Sequence, residues 1–154
     1  MSVLVERAKL LAEFVHLDEK RRGGEPYFNH CRRVARSCEE TENTQCAAYL
    51  HDVLENAIYP NDIRMLILTY FPLEVLTIVE ILTHNKTKCS YNTYIEVICN
   101  HPAAFEIKIA DLCDNTRDEI PEKQKAKYRS ACITMINKKK IIPTILLERL
   151  NIEE

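Results

Sequence analysis

Apolar positions along this chain recur at helical rather than strand spacing. Val3, Leu4, Leu10, Leu11 and Phe14 follow one another at intervals of three, four and seven, as one buried helix face requires. The same period returns in Cys46, Ala47, Leu50, Val53, Leu54 and Ala57, and again in Ile107, Ala110, Leu112 and Cys113. Hairpin turns are missing from the sequence: its two glycines, Gly23 and Gly24, are adjacent, and neither Asn-Gly nor Asp-Gly occurs. Prolines 26, 60, 72, 102, 121 and 143 supply the punctuation, since proline lacks an N–H donor and suits a first helical turn or a loop. The pattern predicts helices over 2–20, 26–39, 43–57, 60–70, 72–83, 90–100, 102–118, 121–137 and 140–149, and therefore an all-α fold.

Composition narrows the class of protein. A chain of 154 residues, 46% hydrophobic and 29% charged, is expected to form one compact domain over 1–154, with fraying confined to the last residues, including Glu153 and Glu154. The formal net charge of −2 gives no bulk positive field, so no nucleic-acid partner is expected. The longest apolar run, Ile141 to Leu147, is interrupted by Pro143 and falls far short of the ~20 residues that a membrane helix needs. Glu6, Arg7 and Lys9 break up the N-terminal apolar residues, which argues against a signal peptide and for a cytosolic protein. Seven cysteines, an odd number without a Cys-x-x-Cys pair, read as small buried hydrophobes in a reducing compartment.

Candidate chemistry centres on His51 and Asp52, adjacent within the segment predicted as helix 43–57. Successive helix residues project ~100° apart, so this pair can share a ligand only if it lies off the helix between them. Glu55 follows three and four residues later, on the same predicted face. His30 and Asp111 are further candidates from other helices. Imidazole nitrogens with carboxylate oxygens suit a divalent ion such as manganese, iron or zinc, and four ligands leave room for water. Arg21 and Arg22 precede the Gly23-Gly24 turn, where guanidinium forks and close backbone approach suit a pyrophosphate; a solvated basic helix end is the plainer alternative. Asn115 lies one turn after Asp111, and Lys125 and Tyr128 are three apart on a later helix.

The ordered set His30, His51-Asp52, Asp111 resembles the metal ligands of HD-domain phosphohydrolases. Arg21-Arg22-Gly23-Gly24-Glu25-Pro26-Tyr27-Phe28-Asn29-His30 is similar to an Arg-Lys-x-Gly-x-Pro-Tyr-x-x-His element, and Lys108-Ile109-Ala110-Asp111 with Asn115 to a Lys-x-Ala-Asp-x-x-x-Asn element, of the alarmone hydrolase domain in RelA/SpoT homologues. The resemblance covers roughly Leu11 to Tyr128. It implies a helical HD-domain fold, a manganese-dependent hydrolase of the small single-domain type, and removal of the 3′-pyrophosphate from guanosine tetra- or pentaphosphate. It also implies that Arg21 lies near the pyrophosphate, that Arg22 replaces a lysine contacting the nucleotide, and that Asn115 meets the ribose region. Tyr128 matches a comparable tyrosine, with Lys125 beside it.

One departure changes the expected chemistry. The alarmone hydrolases usually carry Glu-Asp after the His-Asp pair, credited with activating water, and this chain has Glu55-Asn56. Asn56 can position water but cannot serve as general acid or base, which leaves proton handling to Glu55. Alternatives are therefore hydrolysis of another nucleotide, such as a deoxynucleoside monophosphate or a nicotinamide dinucleotide phosphate, or a catalytically weak nucleotide-binding module.

Overall fold

The computed structural model describes residues 1–153; Glu154, part of the tail expected to fray, lies outside the described residues. Ten helices and no strand occur among those residues, in two compact units, 1–83 and 84 onward. The first holds α1 (Val3–Val15), α2 (Tyr27–Arg36), α3 (Glu42–Leu50), α4 (Val53–Asn56), α5 (Pro60–Tyr70) and α6 (Leu73–Ile81). The second holds α7 (Tyr91–Cys99), α8 (Pro102–Asn115), α9 (Glu122–Asn137) and α10 (Thr144–Arg149).

In the first unit α3 is the central helix, packed by α1, α2 and α6, and its Cys46, Ala47, Ala48, Tyr49 and Leu50 are all buried. Its start is set by Thr41, whose hydroxyl accepts the Thr44 N–H and satisfies one of the donors a helix end leaves open. The face that α1 buries differs from the predicted one. Val5, Ala8 and Ala12 are buried, whereas Val3, Leu10 and Phe14 are exposed. Small residues win here: Ala8 and Ala12 let α1 come close to the alanine-bearing α3, an approach that the larger side chains would block.

Three predicted boundaries move most. The first helix ends at Val15, not residue 20, because the following segment folds back on itself. Glu19 N–H donates to the His16 carbonyl, Arg21 N–H to the Glu25 carbonyl, and Lys20 pairs with Pro26 in an isolated antiparallel bridge. Gly24, at φ +92°, occupies the left-handed region there, which a side chain rarely tolerates. The predicted helix 43–57 breaks into α3 and α4 at His51-Asp52. The last helix starts at Thr144, because α9 closes in a left-handed cap: Lys139 has φ 60° and the Lys140 N–H reaches back to the Met135 carbonyl.

The second unit is built on α7, packed against α8 and α9, with α10 on α8. Side chains cap two of its helix starts. Ser90 caps α7 through the Thr93 N–H, and His101 Nδ1 accepts the Ala104 N–H at the start of α8. All seven cysteines are free thiols and five are buried; burial, and to a lesser extent Glu42, pushes the Cys46 thiol up to about 12. No helix among the described residues is long and apolar enough to cross a membrane.

A non-glycine residue in the left-handed region costs about 1–2 kcal/mol. Lys139→Gly is accordingly expected to raise stability by about 1 kcal/mol, offset in part by the entropy of glycine in the unfolded chain. Urea unfolding of the variant against the parent measures it.

Candidate metal centre

The break between α3 and α4 resolves the difficulty of two neighbouring side chains sharing one ligand. His51 retains helical backbone angles, but Asp52 turns to φ −107°, ψ 0°, off the helical path. His51 Nε2 and Asp52 Oδ2 then approach to 2.9 Å. From α2, His30 Nε2 comes within 3.2 Å of His51 Nε2 and 3.6 Å of Asp52 Oδ2. Donor atoms bound at ~2.1 Å to one ion stand roughly 3.0–3.4 Å apart, whether octahedral or tetrahedral, so this triangle has the size of one face of a coordination shell.

The groups behind the triangle fix its chemistry. His51 Nδ1 lies 2.8 Å from the Ala48 carbonyl, to which it can only donate, so in the neutral ring the Nε2 lone pair points at the centre. Tyr27 donates from its hydroxyl to Asp52 Oδ2 at 2.6 Å and packs edge-on against the His30 ring. His30 and His51 are buried, 0% and 3% exposed, which is costly for two facing imidazoles unless a cation or proton lies between them. Such a set of nitrogen and carboxylate donors fits a divalent transition ion.

In the second unit, Asp111 is buried in α8 and held at both oxygens. Lys108 Nζ donates to Oδ2 and Asn115 Nδ2 to Oδ1, each at 3.0 Å. Burial alone would lower the Lys108 ammonium, but Asp111, with Tyr94 and Tyr91, outweighs it and holds the group well above the ordinary lysine range. Lys108 is thus a fixed positive charge beside Asp111.

The remaining predicted residues are placed less closely. Arg21 is half-buried, its guanidinium 5.8 Å from the Tyr27 ring centroid and its Nε 3.7 Å from Glu25, while Arg22 is exposed. Glu55 is exposed in α4, one turn after its N-cap Asp52, and the helix break separates it from His51. Asn56 donates to Glu19 Oε2 at 2.9 Å. Lys125 lines an open cleft with Asp118, Glu119, Glu122 and Arg149, and Tyr128 is half-buried on α9.

Sequence reasoning missed three contributors. Tyr27 lies one turn before His30 on the same face of α2, a signal present in the spacing. Lys108 lies likewise one turn before Asp111. His16, which lies in none of the sequence motifs, is 1% exposed, packs at a tilt against Tyr27 and donates from Nδ1 to Glu19 Oε1 at 3.1 Å.

The chain matches no family model and no curated protein. Among solved structures it is similar to a metazoan ortholog of SpoT that hydrolyses ppGpp and plays a role in starvation responses. The two superpose with a TM-score of 0.78 at 22% identity, over 98% of this chain and 93% of the other. The fold is the all-α HD-domain fold. That result agrees with the helical HD-domain architecture expected from the order of the motifs.

Two outcomes follow for this centre. Tyr27→Phe, which removes the donor to Asp52 and little else, is expected to weaken divalent-ion binding about 10- to 100-fold, read by calorimetric titration. His16 is held below its ordinary value of 6.5 by burial, against the opposing pull of Glu19. The unfolded chain therefore binds the extra proton first, so His16 favours folding above pH 6.5 and that contribution declines as pH falls below it. His16→Gln is expected to flatten this part of the stability profile relative to the parent, as followed by denaturant unfolding at a series of pH values.

Proposed function

We propose that this protein is a manganese-dependent hydrolase that removes pyrophosphate from the 3′ position of guanosine tetra- or pentaphosphate. The observation that carries the proposal is the convergence of His30, His51 and Asp52, whose ligand atoms lie within 4.8 Å of one another, in a fold shared with a ppGpp-hydrolysing protein. Asp111 is proposed as the fourth ligand, supported by its place in the ordered motif set and by the two donors that hold its carboxylate. The reading of 1–154 as one cytoplasmic domain belongs to the same proposal.

A divalent ion bound by this set would acidify a water and polarise a phosphoryl oxygen. The residues of the chain supply the rest. Tyr27 and Ala48 orient two of the ligands, so little reorganisation is needed as the ion binds. Glu55, open to solvent, would take the proton from the nucleophile, and Asn56 would orient that water. Arg21, steadied by Tyr27 and Glu25, would meet the pyrophosphate, with the exposed Arg22 as a second cation. Asn115, Lys125 and Tyr128 are assigned to the nucleoside and phosphate side.

The amide at position 56 favours a second reading, a nucleotide-binding module with little turnover. Hydrolysis of another phosphorylated nucleotide is the third outcome of the same assay. Metal-loaded protein is expected to convert guanosine tetraphosphate to guanosine diphosphate and pyrophosphate, and His51→Ala to lose both the ion, by elemental analysis, and the activity. Intact guanosine tetraphosphate beside cleavage of another nucleotide would overturn the substrate assignment. Binding without turnover, with gain of activity in Asn56→Asp, would establish the module.

A further inference from the structure

Asn56 closes α4 one turn after Asp52, and its backbone N–H donates to the Asp52 carbonyl at 3.1 Å. Its side chain is tied to a residue far away in sequence, through the 2.9 Å bond from Nδ2 to Glu19 Oε2. Glu19 is itself held at several points. Oε1 takes the His16 Nδ1–H, the Glu19 N–H donates to the His16 carbonyl, and the Glu19 carbonyl accepts the Tyr27 N–H at 2.9 Å. His16 is buried and its other ring nitrogen finds no hydrogen-bond partner among the described residues, so a single tautomer, with the proton on Nδ1, satisfies the pair.

A primary amide beside a reaction centre has two ends, a donor and an acceptor of nearly equal shape, and by itself it can present either. A carboxylate can only accept. With Glu19 fixed against it, Asn56 must turn its NH2 toward Glu19, since the flipped amide would set Oδ1 against a carboxylate oxygen. Oδ1 is then the end turned away from Glu19, so on that side the amide presents water its acceptor, while one N–H of the NH2 is taken up by Glu19.

We propose that Glu19 is a positioning residue for the hydrolysis, setting the orientation of Asn56 so that residue 56 acts as a hydrogen-bond acceptor. The inference rests on the hydrolytic reading above. It assigns to Glu19, in the turn after α1, a role outside the predicted site, and it gives the Glu19–Asn56 pair a definite polarity: carboxylate at 19, amide at 56.

That polarity can be reversed by exchange. Asn56→Asp alone places two carboxylates at a 2.9 Å contact and is expected to lower kcat, as is Glu19→Gln, which lets the amide turn over. Each loss is expected to be about tenfold, the lower end for groups that orient a site residue, with KM within about twofold. The double variant, E19Q with N56D, restores a donor facing a carboxylate and is expected to recover most of the parental kcat. Losses that simply add in the double variant, or undiminished activity in N56D alone, would overturn the inference.

An independent readout is the side-chain amide resonance of Asn56 in nitrogen-15-labelled protein. One of its protons is expected far downfield and slow to exchange in the parent, and moved upfield in E19Q. If the parent leaves guanosine tetraphosphate intact, the substrate assignment fails, and the amide spectrum alone then decides this inference: an Asn56 resonance indifferent to residue 19 overturns it, and the downfield shift lost in E19Q upholds the pairing.

Discussion

Two consecutive side chains, His51 and Asp52, have to aim at one point, and a regular helix forbids it because successive residues diverge by ~100°. The candidate centre depends on ending α3 at Leu50 and turning the backbone at Asp52 to φ −107°, ψ 0°. One hydrogen bond does much to hold the corner. His51 Nδ1 meets the Ala48 carbonyl at 2.8 Å, which orients the ring, fixes its tautomer and satisfies a carbonyl near the helix end. The corner is supported because the helix it terminates is packed by α1, α2 and α6, with Ala47 and Ala48 fully buried.

Around the corner, buried polar groups are largely matched, His16 Nε2 being an exception. Tyr27 engages Asp52, Ala48 engages His51, and Glu19 engages both His16 and Asn56. Unpaired burial of such groups costs of the order of 1–3 kcal/mol each, more if charged, so the network specifies as well as stabilises. In the second unit the same logic holds Asp111 between Lys108 and Asn115. Breaking such a buried ion pair at one partner costs about 3–5 kcal/mol, which ties the geometry of the carboxylate to the integrity of α8.

Different kinds of information were legible to different degrees. Helix positions after proline, such as α5 from Pro60 and α8 from Pro102, start where the sequence says, because the ring pre-sets φ and gives up only a donor that is orphaned anyway. The buried face of α1 was misread because apolar periodicity weighs Leu10 and Phe14 above Ala8 and Ala12. Packing instead rewarded the small residues that permit close approach. Glu19 carried no signal as a site residue, since its partner Asn56 lies 37 positions away.

The sequence by itself determined the helical class, through the 3.6-residue period and the scarcity of glycine, and the identity and order of the candidate ligands, because those are chemical properties of residue types. It also showed that position 56 lacks a titratable group. Only the tertiary structure decided that helix 43–57 breaks between its two central ligands, that His16 is buried, and that a carboxylate from the turn after α1 faces Asn56. Each of these is a contact or backbone turn between segments far apart in the chain, and local pattern carries no record of which distant surface a side chain will meet.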